Sequence, residues 1–301
     1  MSPAHDAPHP ESRFEADWLA LREGADADAR SPELTALAAR WLNARGGTPF
    51  VCVDLGSGSG SNPRFLAPRL PGPQSWCLVD HDPLLLERAV RSSAALRDAA
   101  GQPVALRSEC RDLAALVPDA FAGVDLVCAS ALMDLVGATW LERLAEACAR
   151  AGAAALFSLS VDGAWSFRRA PHEDADPDDA LARDAFNAHQ RRDKGVGGAL
   201  GPDAHAHLAA CLRAVGYRVH VAPSPWQLHM DRPRELALAA ALMQGWYDAA
   251  LAQMPAEAAR LRAWHVRRRE ALRDPAFRMS VGHVDVFACP GGERAGTEPG
   301  A

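Results

Sequence analysis

The chain has 301 residues, of which 49% are hydrophobic, and a formal net charge of −6. This suits one large α/β domain or two small ones and excludes a broad basic surface for nucleic acid. The longest apolar run toward the C-terminus, 236–243, is far short of the roughly 20 residues a membrane span needs, and the N-terminus lacks the basic start and apolar stretch of a signal peptide, so a soluble, cytoplasmic protein is expected.

Residues 1–11 are polar and Pro-rich and read as disordered. A short amphipathic helix around Phe14, Trp18, Leu19 and Leu21 follows. Ser31-Pro32 then supplies an N-cap and a first-turn proline for a second helix, which Gly46-Gly47 ends. From there strands and helices alternate. Strands are expected at 50–55, 76–79, 104–108, 124–129 and 153–159. Helices are expected at 62–70, 83–100 and 140–150, the last capped by Thr139. Continuous apolar strands between helices predict a mostly parallel sheet covered on both faces.

The rhythm breaks after Val161. Residues 162–201 are rich in charge, Pro and Gly, hold one helix at 177–190, and read as an insertion over the sheet. A helix at 202–215, a sixth strand at 217–221, helices at 236–254 and 256–272, and a seventh strand at 281–288 complete the fold, with a loose tail at 291–301. The organisation expected is thus N-terminal helices (1–46), a ligand-binding half (47–161), an inserted lid (162–201) and the rest of the same domain (202–290). The seven cysteines contain no C-x-x-C pair, so free thiols and no metal site are expected.

The first strand runs into Asp54-Leu55-Gly56-Ser57-Gly58-Ser59-Gly60. A glycine-rich turn between strand and helix lets backbone approach a ligand that a Cβ would block. The spacing here is G-x-G-x-G, and Ser61 stands where the dinucleotide fingerprint has its last glycine. One acid, Asp54, precedes the turn. A second, Asp80, ends the next strand about 20 residues on, where a carboxylate can accept from both hydroxyls of a ribose. Both acids could instead simply cap the helices that follow them.

On these stretches, VCVDLGSGSGSNPRFLAPRL, WCLVDHDPLLLERA, ECRDLAAL and VDLVCASALMDLV, the chain resembles the class I S-adenosylmethionine-dependent methyltransferases, in order from about residue 50 to 159. The resemblance implies a Rossmann-like seven-stranded α/β sheet and S-adenosyl-L-methionine as cofactor. It places Gly56, Ser57 and Gly58 against the methionine half, and Asp54 on its amino group directly or through water. It places Asp80 on the ribose with His81 beside the adenine, Asp112 and Leu113 at the adenine edge, and Ser130 near the sulfonium. The Asn/Asp-Pro-Pro-aromatic turn of adenine N6 and glutamine methyltransferases is replaced by Ser130-Ala131-Leu132-Met133-Asp134, which disfavours those acceptors.

Methyl transfer needs alignment and exclusion of water more than covalent help. A base is needed only for a protonated acceptor, and none is assigned; Asp134, His189 and the pair His283 and Asp285 are candidates. On the acceptor side, Asp134 is expected beside the pocket, and Asn187 and His189, with Phe186 and Gln190, on a lid hinged at Gly195, Gly197 and Gly198, the N-terminal helix around Trp18 helping to cover the site. Acidity and a compact lid favour a small-molecule acceptor. An RNA or protein methyltransferase, or a non-catalytic S-adenosylmethionine binder, stays open.

Overall fold

The computed structural model describes residues 10–46, 48–115, 117, 119–169, 172–192 and 198–291; side chains are described from Asp17 onward, Ala115 excepted. Two helices, α1 (Pro10–Ala29) and α2 (Pro32–Arg45), lead into β1 (Phe50–Leu55), α3 (Ser61–Leu66), β2 (Gln74–Asp80), α4 (Pro83–Ser92), β3 (Ala105–Cys110), β4 (Leu126–Ser130) and α5 (Ala138–Ala151). The second half holds β5 (Ala154–Arg169), β6 (His172–Glu173), α6 (Asp179–Gln190), α7 (Ala204–Ala214), β7 (Tyr217–Pro223), β8 (Trp226–His229), α8 (Pro233–Gln253), α9 (Ala258–Ala271) and β9 (Phe277–Pro290).

The local signals account for several boundaries. Ser31 caps α2 by accepting from the Leu34 N–H at 3.2 Å, with Pro32 in the first turn. Asp82 does the same for α4, accepting from the N–H groups of Leu84 and Leu85. That helix stops at Ser92, not near Ala100, because residues 93–104 fold into a turn in which Asp98 accepts from Ala100 and Gln102 N–H. The N-cap of α5 is Gly137, not Thr139, and it makes no side-chain capping bond.

The sheet has the order β3-β2-β1-β4-β5-β9-β7, with β6 paired to β5 and β8 to β9. The strands β3, β2, β1, β4 and β5 are parallel neighbours, and β9 runs antiparallel between β5 and β7. The expectation of a mostly parallel α/β sheet is met, with nine strands among the described residues instead of seven. Strand alternation sends Cys77, Val79, Val127 and Phe157 to a core shared with α5 and α7. Trp76, Leu126, Cys128 and Leu156 point the other way, into a core with α2 and α3.

The largest departure lies beyond Leu159. Strand β5 does not end there but continues to Arg169 against the long β9, through register breaks at Phe157/Ser160 and Val161/Trp165. Asp162-Gly163, where the strand–helix rhythm of the sequence breaks, is absorbed as an irregularity in the strand, with Gly163 at φ +78°. The outer half of β5 and β9, together with β8, forms a second platform. On it α1, α6, α8 and α9 pack around Trp165, Trp226, Trp246 and Trp264. Within the expected insertion, Trp165, Phe167, Ala182 and Ala185 are buried on this platform. They share a core with α8 and α9, which the sequence had assigned to the remainder of the first domain.

Candidate functional site

Strand order reverses between β1 and β4: β2 and β3 lie to one side and β5 to the other. At such a switch point the loops leaving the carboxyl ends diverge and open a crevice. A cleft of about 440 Å³ occupies it, lined from the sheet by Gly56, Ser57, Gly58, Asp80, His81, Asp112, Leu113 and Ser130. Eight of the nine positions expected to meet the cofactor thus face one cleft.

The turn after β1 is tightly braced. Ser57 N–H donates to the Val79 carbonyl at 3.0 Å and Gly60 N–H to the Ser57 carbonyl at 2.8 Å. Gly58 has φ +50°, a conformation that favours glycine, and a Cβ there would stand 3.0 Å from Leu19 Cδ1, so that side chain of α1 would have to give way. Gly58 N–H donates to Asp80 Oδ2 at 2.8 Å, and Asp82 N–H to Asp80 Oδ1 at 3.0 Å. The Asp80 carboxylate, 5% exposed, is therefore fixed in orientation by backbone donors and still opens onto the cleft. Its remaining lone pairs fit a ligand diol. His81 stands beside it, with Nδ1 3.3 Å from Asp80 Oδ1 and a largely exposed ring. Asp112 caps the single turn Leu113–Ala115 by accepting from Ala114 N–H at 2.8 Å, while also lining the cleft. The carbonyl of Leu113 accepts from Trp140 Nε1–H at 2.6 Å, which leaves its side chain to the cleft.

Asp54 differs from the expectation. It is fully buried and does not line the cleft; it meets it through Asn62, whose Nδ2 donates to Asp54 Oδ1. Its Oδ2 has no hydrogen-bond partner among the described residues. Burial raises its carboxyl to about 7, against the opposing pull of the Asn62 hydrogen bond and of Arg30. Arg30, buried at the junction of α1 and α2, donates from Nη1 to Asn62 Oδ1 at 2.6 Å and from Nη2 to Ser130 Oγ at 2.9 Å. Neither Asn62 nor Arg30 was singled out from the sequence. An arginine ending a surface-patterned helix gives no signal that its guanidinium will cross to another strand.

The cover over the cleft is α1, whose Trp18, Leu19, Arg22 and Asp26 line it, as expected of the helix around Trp18. The helix is tied down by polar contacts. Arg22 pairs with Asp26 at 2.9 Å, Trp226 Nε1–H donates to Asp26 Oδ1 at 3.1 Å, and Arg64 holds Glu23 through two hydrogen bonds of 2.9 and 2.8 Å.

The acceptor-side residues fall elsewhere. None of Phe186, Asn187, His189 and Gln190 lines the cleft. Phe186 packs against Trp165 at 5.5 Å, and Asn187 donates to the Gly163 carbonyl at 3.0 Å. The segment before α6 is stapled to α9: Arg268, buried, holds Asp174 and Asp179; Arg267 holds Asp176 and Asp178; Arg260 holds Asp178. These contacts hold residues 172–190 against the second platform, away from the cleft. Gly195 and Gly197 lie outside the described residues. Asp134 is buried in the single turn Met133–Leu135 and does not line the cleft, though Leu132, Leu135 and Val136 around it do. His283 and Asp285 are not candidates for a base. Burial, aided by the Arg22 charge, lowers the His283 imidazole to about 3. The Asp285 carboxylate is enclosed by the Ser31 and Leu159 N–H groups and the Ser224 hydroxyl.

No family model matches the chain, and no curated protein matches its sequence. Solved structures do. A SAM-dependent methyltransferase from Thiobacillus denitrificans in complex with S-adenosyl-L-homocysteine is 21% identical, with 89% of this chain and 96% of that one covered, at a TM-score of 0.41. A phosphoethanolamine N-methyltransferase from Haemonchus contortus is 13% identical, with 94% and 59% covered, at 0.45. A cyclopropane synthase from Mycobacterium tuberculosis is 14% identical, with 95% and 100% covered, at 0.46. With TM-scores and identities this low, these likenesses carry no weight on chemistry, and the site stands on its own residues.

Proposed function

We propose that the protein is an S-adenosyl-L-methionine-dependent methyltransferase acting on a small molecule. The observation that carries this reading is the Asp80 carboxylate, oriented by Gly58 and Asp82 N–H beside a glycine turn at the topological switch point. The donor and acceptor set fits the cofactor along its length. The rim at His81, Asp112 and Leu113 suits an adenine, Asp80 a ribose, and the small residues Gly56, Ser57 and Gly58 an extended amino-acid arm. Behind that arm Asp54, buried and held near neutral charge, accepts from the Asn62 amide and keeps one oxygen without a partner among the described residues. When bound, the cofactor supplies a methyl group on a positively charged sulfur, open to in-line displacement.

The chain's own residues align and shield. Trp18 and Leu19 from α1, and Leu132, Leu135 and Val136 from the β4 loop, give the cleft an apolar wall that excludes water from the reacting centre. Asp26, the carboxylate that α1 presents to the cleft, is engaged by Arg22 and Trp226. It serves to hold the cover, so proximity and orientation supply the rate enhancement and no base is assigned. A cleft roofed by a helix suits a small acceptor better than an RNA or protein chain. The seven cysteines are free, which fits a reducing, cytoplasmic setting.

Calorimetry with S-adenosyl-L-homocysteine and with NAD tests the cofactor; binding of NAD alone, or of neither, refutes the reading. A label-transfer screen from methyl-labelled S-adenosylmethionine into fractionated small molecules, RNA and protein then tests the acceptor. Label appearing only in RNA or protein would overturn the small-molecule part, and no transfer in any fraction would favour a non-catalytic binder.

A further inference from the structure

The guanidinium of Arg30 is 4% exposed as a residue, and its Nε has no hydrogen-bond partner among the described residues. Burying a cation with one N–H unsatisfied is costly, so its remaining hydrogen bonds and the nearby carboxylates must offset the cost. The guanidinium lies over the Phe65 ring at 4.8 Å, and it donates two hydrogen bonds to cleft-lining groups on separate elements, Asn62 of α3 and Ser130 at the end of β4. Both contacts settle a choice of orientation. Because the Asn62 carbonyl oxygen accepts from Arg30, its amide nitrogen must face the other way; one N–H goes to Asp54 and one remains. Because the Ser130 oxygen accepts from a guanidinium, its hydroxyl hydrogen is left to donate away from Arg30.

We propose that Arg30 is a positioning residue that locks Asn62 and Ser130 as two donors facing the β1–β4 end of the cleft, where they hold the carboxylate end of the bound nucleoside's amino-acid arm. The inference rests on the cofactor reading above. That reading puts adenine and ribose over β3 and β2, so the arm must extend toward β1 and β4, where these two residues stand. Arg30 itself touches neither ligand nor reacting atoms in this arrangement; it acts through its partners. It also sits where α1 turns into α2, with its N–H donating to the Asp26 carbonyl at 3.3 Å, so the helix that roofs the cleft and the donors on its floor share one anchor.

The test compares two ligands by calorimetry on the full chain: S-adenosyl-L-homocysteine, and 5′-methylthioadenosine, which has the nucleoside and sulfur but no amino-acid end. Arg30→Met should weaken S-adenosyl-L-homocysteine about tenfold or more, the loss of one or two hydrogen bonds to a charged group, and leave 5′-methylthioadenosine unchanged. Arg30→Lys, with one compact donor head for two acceptors, should fall between. Should Arg30→Met fail to fold, Ser130→Ala leaves the guanidinium in place and should weaken S-adenosyl-L-homocysteine selectively. In the double variant the two losses should not add. Equal loss of both ligands, or unchanged S-adenosyl-L-homocysteine affinity in the folded variants, overturns the inference while leaving the cofactor reading intact. Failure of the unaltered protein to bind either ligand removes the cofactor reading, and the inference with it.

Discussion

Replacing Asp80 separates ligand recognition from loop support, because its carboxylate serves both. Two oxygens accept from Gly58 and Asp82 N–H and retain lone pairs toward the cleft. Two charge-assisted hydrogen bonds to a ribose, less the water they displace, amount to roughly 2–4 kcal/mol. Asp80→Ala should therefore weaken S-adenosyl-L-homocysteine roughly 30- to 700-fold. The same variant strips two backbone donors of their acceptor, so its melting temperature should also fall. Asp80→Asn keeps an oxygen for Gly58 N–H but turns its NH2 toward Asp82 N–H, so it should lose less stability than Asp80→Ala while still losing about tenfold in affinity. Calorimetry gives affinity, and thermal unfolding without ligand gives loop support. If Asp80→Ala binds within about threefold of the unaltered protein, less than one hydrogen bond to a charged group is worth, the ribose role of this carboxylate is refuted.

Asp54 makes stability depend on pH. Burial raises its carboxyl to about 7 from 3.8, so between about pH 4 and 7 the folded state holds a proton that the unfolded chain has released. This contribution is fully present below pH 4 and is lost as pH rises through 7, by up to about 1.4 kcal/mol per pH unit; Asp54→Asn should flatten that slope in urea titrations across the window. Asp285→Ala should destabilise by about 3 kcal/mol or more in urea, since it orphans the Ser31, Leu159 and Ser224 donors together, and a loss below about 1 kcal/mol would show the carboxylate is not the clamp it resembles. Arg268→Met leaves Asp179 and Asp174 short of their buried partner and should cost about 3 kcal/mol. Affinity for S-adenosyl-L-homocysteine should nevertheless stay within about threefold, because these residues are remote from the cleft. A large affinity loss there would restore a lid role for the insertion.

The division between what was legible in the sequence and what was not follows the range of the interactions. The glycine turn, Asp80, the capped start of α2 and the alternating strands of the first half depend on contacts within a few residues or on the pleat of one strand, so the order of residues carries them directly. The continuation of β5 past Leu159 depends on β9, more than a hundred residues later: pairing with Phe277–Pro290 carries the strand through Asp162-Gly163 as an irregularity. The placement of α6 depends on a charge match with α9, since Asp176 and Asp178 gain their partners only when Arg260 and Arg267 are brought opposite them. Hydrogen bonds from Arg267 then hold the Asp176 carboxyl below its usual range. The floor of the cleft shows the same limit most sharply. Gly56, Gly58 and Asp80 declare themselves by spacing, but Asn62 in α3 and Arg30 in the α1–α2 turn carry no such signal, and their role exists only because Arg30 Nη2 ends 2.9 Å from a serine one hundred positions away. Spacing encodes local geometry; only the packed chain decides which distant side chains satisfy one another's buried hydrogen bonds.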